Sequence, residues 1–161
     1  MVRSEPVPNT ALITNCLPSI DFSDCFSTTN HHDTLETVTR KVLGTAPGWV
    51  RFLMKIRNNV VKHVGLKSEV QKGLPSEFEV GNHIAFFRIF KVTENEVLLG
   101  EDDKHLNFRV SILKTGEANN NIKVTTLVKF NNRFGKFYMS IVAPFHKLVL
   151  KSMVGQAMQK D

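Results

Sequence analysis

Apolar side chains near the end of the chain recur at the spacing of a helix. They are Phe134, Phe137, Tyr138, Ile141, Val142, Phe145, Leu148, Val149 and Met153. This spacing predicts a helix from about Gly135 to Met158 with one continuous apolar face. Pro144 falls inside the pattern and predicts a bend, because proline removes a backbone donor. Such a helix needs an apolar surface to pack against, and the rest of the chain must supply it.

Four stretches in the second half of the chain have the pattern of strands joined by short turns. They are His83–Val92, Glu96–Glu101, Leu106–Ile112 and Ile122–Phe130. In the last two, apolar and polar residues alternate, which is typical of a sheet with one buried face. The polar positions next to the third strand include His105, Asn107 and Arg109. The alternation favours water as the surroundings of these three, because they oppose the apolar side, and a cavity on their side of the sheet is the alternative.

The first half of the chain has weaker signals. Residues 1–19 contain three prolines and no clear period, which predicts an extended N-terminal segment. Asp21–Ser27 is predicted to be an edge strand, with Phe22 and Phe26 on one side of it. Apolar residues at helical spacing predict a short helix over Thr34–Leu43.

A second helix is predicted over residues 47–64, because Pro47 suits a first helical turn and apolar residues follow it periodically. The order is then a strand, two helices, consecutive antiparallel strands and a long helix. Consecutive strands with short links form a meander, and strand twist makes such a sheet curl. The sequence therefore predicts an α+β fold in which residues 20–161 form one domain.

Composition limits the classes of function. The chain has 161 residues, 42% of them hydrophobic and 12 of them Phe, which suits one domain with a substantial core. The formal charge of +6 is spread along the chain, which favours a solvated surface over a nucleic-acid site. No apolar run is long enough for a membrane span. The only two cysteines, Cys16 and Cys25, form no C-x-x-C pair, so we expect reduced thiols in a cytoplasmic protein.

The order of elements resembles the helix-grip fold of the START and polyketide-cyclase-like superfamily, a curled antiparallel sheet wrapped around a long C-terminal helix. At residue level the chain resembles a bacterial family of unknown function. The segments that carry this resemblance are Pro47–Trp49, Arg57–Asn58, Gly65–Leu66, Leu99–Arg109, Gly135–Tyr138 and Pro144–His146. Related domains also occur behind short-chain-dehydrogenase-like domains. The resemblance implies a fold and an internal cavity but no reaction, and this chain has Asn107 where the family usually has Asp.

Candidate ligand-binding residues are polar or aromatic side chains near the predicted cavity. A mainly apolar pocket takes its selectivity from a few placed polar groups. The candidates are Trp49, Arg57, His105, Phe108, Arg109, Tyr138, Phe145 and His146, with Phe86, Phe87, Phe130 and Val142 as further wall residues. No G-x-S-x-G, H-E-x-x-H or P-loop pattern is present, and we expect neither a cofactor nor a metal.

Three classes of function remain. The preferred hypothesis is a domain that holds a small apolar or aromatic molecule between sheet and helix. The alternative is an enzyme of cyclase, dehydratase or hydrolase type, in which His105, Arg109, Tyr138 and His146 converge in that cavity. The third is an interaction or dimerisation domain with a filled core. The sequence does not predict the oligomeric state.

Overall fold

The structure is a computed structural model and describes residues 1–44 and 77–159. The strands are β1 (Arg3–Ser4), β2 (Phe22–Thr28), β3 (His83–Ile84), β4 (Phe87–Val92), β5 (Glu96–Asp102), β6 (Leu106–Lys114) and β7 (Ile122–Phe130). The helices are α1 (Ala11–Asn15), α2 (Leu35–Gly44) and α3 (Arg133–Gln156). Both β1 and α1 lie within residues 1–19. The helix predicted over residues 47–64 lies outside the described residues.

The strands of the described residues form one seven-stranded sheet in the order β1-β2-β7-β6-β5-β4-β3. All neighbouring strands are antiparallel, so the predicted α+β class with a meander and a C-terminal helix is confirmed. β2 is not an edge strand as predicted, because it pairs with β1 on one side and β7 on the other. The single strand predicted over His83–Val92 is also wrong. A turn at Ala85, whose φ of 55° is left-handed, divides it into β3 and β4.

Side-chain alternation gives the sheet two faces. The first, which we call the α3 face, includes Phe26 and Val124, which pack in the same buried cluster as α2 and the C-terminal half of α3. The second, which we call the α1 face, includes Leu127, which packs against Ile13 and Leu17 beside α1. Neighbouring residues of one strand therefore meet different helices.

The bounds of α3 agree closely with the predicted helix. Asn132 caps its start, since the Asn132 side chain accepts a hydrogen bond from the Gly135 amide at 3.0 Å. Pro144 lies inside the helix, as the sequence pattern requires. Across residues 1–44 and 77–159, neither α3 nor any other helix is long and apolar enough to cross a membrane.

The predicted buried face of α3 is wrong at four positions. Phe137, Ile141, Phe145 and Leu148 are between 53% and 64% exposed. The side chains that α3 buries are Met139, Leu150, Met153 and Val154. The helix is apolar on more than one side, so its periodicity could not identify the side that contacts the sheet.

Asn30 joins three parts of the fold at the end of the sheet where α3 finishes. Its side chain is buried and donates to the Ala157 carbonyl and to the Asp33 carboxylate, both at 2.7 Å. Its side-chain oxygen accepts from the His32 and Asp33 amides. The loop before α2 is therefore tied directly to the end of α3.

We expect Asn30→Ala to lower the free energy of unfolding by about 2 kcal/mol, because it leaves several buried backbone and side-chain groups without partners. Chemical denaturation measures the change. Asn119→Ala is the matched control, since Asn119 is exposed and makes no side-chain hydrogen bond among the described residues. The control should shift stability by less than about 0.5 kcal/mol. Equal midpoints for the two variants would contradict the role assigned to Asn30.

Candidate functional site

A buried carboxylate lies on the α3 face of β2. Alternation places Asp24 on the same side as Phe22 and Phe26, beneath α3. The Asp24 side chain is only 8% exposed, and its Oδ2 lies 3.1 Å from Nδ1 of His146. Its Oδ1 is buried and has no hydrogen-bond partner among the described residues. A buried charged group is costly unless it is paired, so His146 is its essential partner.

His146 projects from α3 toward the sheet, two residues after Pro144. Its side chain is 26% exposed. The Phe22 ring meets the imidazole edge-on, with ring centroids 6.0 Å apart. Phe22 and Asp24 belong to the same strand, so one strand contacts both the ring and Nδ1 of His146. Nε2 is accessible and has no hydrogen-bond partner in the part of the chain that the structure describes.

A second polar group adjoins this pair. Thr126 lies directly opposite Asp24 across the β2–β7 ladder. Its hydroxyl is buried and has no hydrogen-bond partner among residues 1–44 and 77–159. Because buried hydroxyls normally have a partner, Asp24, Thr126 and His146 mark a polar site between the apolar side chains of Phe22, Phe26, Val124 and Val128. We call these three residues the polar triad.

The N-terminal half of α3 is accompanied by half-buried aromatic and aliphatic side chains. Before Pro144, only Gly135 and Met139 are fully buried. The half-buried apolar and aromatic side chains of this half of α3 are Phe134, Tyr138, Val142 and Ala143, and those facing it from the α3 face of the sheet include Phe22, Phe108 and Phe130. Among them, Tyr138 has an interaction partner of its own. The polar triad is thus accompanied by partly accessible aromatic and aliphatic groups.

Three predicted wall residues form an aromatic cluster on β3–β6. Phe86 and Phe87 stack with ring centroids 4.1 Å apart, and Phe108 meets Phe87 edge-on at 5.8 Å. Phe87 is buried, whereas Phe86 and Phe108 are half-buried. These contacts place apolar aromatic surface on the α3 face.

His105 lies in the turn between β5 and β6 and contacts the residue that caps the start of α3. Its Nδ1 lies 2.9 Å from Nδ2 of Asn132, the residue that caps the helix. The imidazole is buried beside the Phe134 ring, with centroids 4.6 Å apart. These contacts give His105 a structural role at the helix cap.

Arg109 lies on the α1 face, away from His146. It pairs in register with Leu127 and forms an ion pair with Asp102 at 2.8 Å. Its guanidinium carbon lies 3.9 Å from the centre of the Phe90 ring, which a β-bulge carries. The predicted convergence of four catalytic side chains is therefore wrong for Arg109, because the sheet separates it from His146.

The structure describes only one of the three remaining predicted site residues, Phe145. Phe145 is 56% exposed, so its predicted place in the cavity wall is wrong. The side chain points away from the sheet because α3 buries the side that carries Met139 and Leu150. Trp49 and Arg57 lie outside the described residues.

Asp24 and Thr126 are not among the predicted site residues, although the strand pattern contained the signal. Each is a polar residue at a position where alternation puts apolar side chains on the buried face. Asp24 lies between Phe22 and Phe26, and Thr126 lies between Val124 and Val128. A polar residue in such a position indicates either a buried partner or a functional group.

Two other sets of side chains that could react or bind a metal have ordinary structural roles. Cys25 is on the α1 face, and burial raises the pKa of its thiol, which keeps it protonated and unreactive. His31 bonds the Ala118 carbonyl, while the Asp33 carboxylate bonds Asn30 and Lys41. Among the described residues, no group of three or more His, Cys, Asp or Glu side chains could hold a metal ion.

A cleft of about 270 Å³ lies apart from the polar triad. It is lined by Met1, Arg3, Thr29, Asn119 and Asn120. This lining is mostly polar and contains none of the predicted ligand-binding residues. Ligand pockets are usually lined by apolar and aromatic side chains, so the polar triad is the stronger candidate site.

The polar triad lies within a region shared with other proteins. Residues 16–153 match the model of a family described as a protein of unknown function (DUF2867). The chain belongs to this family. The match confirms the predicted resemblance to a family of unknown function. The matched residues include Asp24, Thr126 and His146. No curated protein and no solved structure matches the chain.

Proposed function

We propose that this DUF2867 protein is a small-molecule-binding domain of the helix-grip, START-like type. It holds an apolar or aromatic ligand between the sheet and the N-terminal half of α3. The order of strands and helices supports the fold assignment. Cys16 and Cys25 are both free thiols, which supports the further proposal of a cytoplasmic location.

The observation that carries the proposal is the Asp24–His146 pair between the apolar side chains of Phe22 and Phe26. Its carboxylate is 8% exposed, and burying it takes a charge out of water. Asp24 is the charged member of this pair, and replacing a buried charge together with its partner by apolar side chains often leaves a protein as stable or more stable. A costly pair beside half-buried aromatic groups is the arrangement expected of a ligand site, where a few polar groups orient a mainly apolar molecule.

We expect at least one compound in a panel of apolar and aromatic metabolites to raise the melting temperature by about 5–10 °C when its concentration is about a hundred times its Kd. The stabilisation arises because such a ligand binds the folded state only. Thermal unfolding detects it, and isothermal titration calorimetry gives the Kd. If no apolar or aromatic compound stabilises the protein, the proposal fails.

Two variants of α3 test where the ligand binds. Val142 is half-buried toward the interior, whereas the next residue on its N-terminal side, Ile141, is 53% exposed. Val142→Phe adds bulk to the proposed site and should weaken binding by about tenfold or more. Ile141→Phe adds similar bulk to the outer side of the same helix turn and should leave the Kd unchanged. Equal effects would place the ligand elsewhere.

The same pair favours an enzyme as the second candidate function. A carboxylate that orients an imidazole through Nδ1 leaves Nε2 able to take a proton from a substrate. The enzyme would be of cyclase, dehydratase or hydrolase type and would use His146 and Asp24. Recovery of the bound compound chemically unchanged after long incubation favours the binding domain. A product that forms with the native protein but not with His146→Gln favours the enzyme.

A further inference from the structure

Asp24 fixes the hydrogen-bonding character of His146. A carboxylate oxygen only accepts hydrogen bonds, so the contact of 3.1 Å between Oδ2 and Nδ1 requires the proton to be on Nδ1. With Nδ1 protonated, the neutral form of the imidazole has its lone pair on Nε2. Because Nε2 is the accessible ring nitrogen, the site presents a hydrogen-bond acceptor to an incoming molecule.

The orientation of the acceptor is fixed as well as its chemistry. The Phe22 ring packs edge-on against the imidazole, with ring centroids 6.0 Å apart, and the Asp24 carboxylate accepts a hydrogen bond from Nδ1. Both contacts come from β2, which pairs with β7 at Phe22 and at Asp24. A group held in this way loses little conformational freedom on binding, and preorganisation of this kind increases affinity.

Among residues 1–44 and 77–159, the charges next to His146 disfavour an anionic ligand. Asp24 is a buried carboxylate directly behind the imidazole, and low exposure weakens the screening of its field. The lysines of this part of α3 do not offset it, because Lys136 and Lys147 are exposed on the outer side of the helix. A ligand carboxylate would meet a lone pair at Nε2 and a negative charge behind it.

We propose that the site selects ligands that carry a neutral hydroxyl or N–H donor on an apolar or aromatic body and rejects carboxylates with the same skeleton. This inference rests on the proposed function and adds the chemical class of the ligand. The donor group bonds Nε2 of His146, and the apolar body lies against the half-buried aromatic side chains. Selectivity arises because a ligand hydroxyl donates a hydrogen bond to Nε2 of His146, whereas a methyl group leaves Nε2 without a partner. A ligand carboxylate has no proton to donate and is repelled by the Asp24 carboxylate.

The test compares three naphthalenes that differ in one substituent: 2-naphthol, 2-methylnaphthalene and 2-naphthoate. Their Kd values are measured at neutral pH by fluorescence titration of the full chain. We expect 2-naphthol to bind about tenfold more tightly than the other two. A second skeleton, 1-decanol against decanoate, should show the same order.

Variants of the pair should remove the selectivity without removing the apolar contacts. Asp24→Asn can donate or accept toward Nδ1, so the proton is no longer fixed there and Nε2 can itself become a donor. The preference for 2-naphthol over 2-naphthoate should then fall to about threefold or less. Asp103→Asn removes the same charge from the β5–β6 turn and should keep the native preference, which controls for net charge.

The outcomes separate the two proposals. If 2-naphthol, 2-methylnaphthalene and 2-naphthoate bind equally to the native protein, the donor selectivity is wrong and the binding function stands. The same holds if Asp24→Asn keeps the full preference. If no member of either series binds, the proposed function fails and the selectivity fails with it.

Discussion

Gly135→Ala is expected to lower the free energy of unfolding by about 3 kcal/mol, although it adds a single carbon. A Cβ built at Gly135 would lie 2.1 Å from the carbonyl oxygen of His105. That oxygen belongs to the backbone and cannot rotate away, so the start of α3 must move from the β5–β6 turn. Chemical denaturation measures the loss. Ligand affinity should fall with it, because the displaced half of α3 forms one wall of the proposed site.

A second glycine of the same helix provides the control. A Cβ at Gly155 would meet only a methyl carbon of Val2 at 3.8 Å, which is an ordinary contact. Alanine has a higher helix propensity than glycine, so Gly155→Ala should stabilise the protein by up to about 1 kcal/mol. If the two variants change stability in the same direction and by a similar amount, the close approach at Gly135 is not the cause.

Local periodicity was sufficient to predict α3, β6 and β7. Their signals repeat over nine or more residues, and each depends only on neighbours along the chain. β2 was also found, although its pairing on both sides was not. The edge position was predicted because β1 has only two residues and no pattern that a sequence analysis can detect.

The candidate site depends on contacts that periodicity does not contain. Asp24 and His146 are 122 positions apart in the sequence, and only the pairing of β2 with β7 beneath α3 brings them together. His146 was selected from the sequence, but its partner was not. The side of α3 that faces the sheet was equally undetermined, because both Phe145 and Met139 are apolar.

The surroundings of Arg109 could not be predicted, for a different reason. Alternation along β6 correctly separated it from Phe108 and Val110. The same alternation predicts either water or a ligand cavity around the Arg109 side chain. The structure instead gives it Phe90, carried on a β-bulge, and Asp102, and buries it on the α1 face. A bulge has no reliable sequence signal, so this environment could not be predicted.

His146→Leu is expected to destabilise the protein by about 3 kcal/mol. The substitution leaves the Asp24 carboxylate, which is 8% exposed, without its partner. Removal of one member of a buried pair usually costs about 3–5 kcal/mol, and the 26% exposure of His146 places this pair at the lower end. Denaturation with urea at neutral pH gives the change in the free energy of unfolding.

The double variant Asp24→Leu, His146→Leu decides whether the pair exists for stability or for function. Leucine at position 24 would continue the apolar side of β2 between Phe22 and Phe26. We therefore expect the double variant to recover to within about 1 kcal/mol of the native protein, since an apolar replacement of a buried pair is often neutral or stabilising. Its selectivity for hydroxylated ligands should be lost. A double variant that is less stable than His146→Leu alone would mean that Asp24 stabilises the fold. The interactions of the pair would then outweigh its desolvation cost, and the main argument for a ligand at this position would fail.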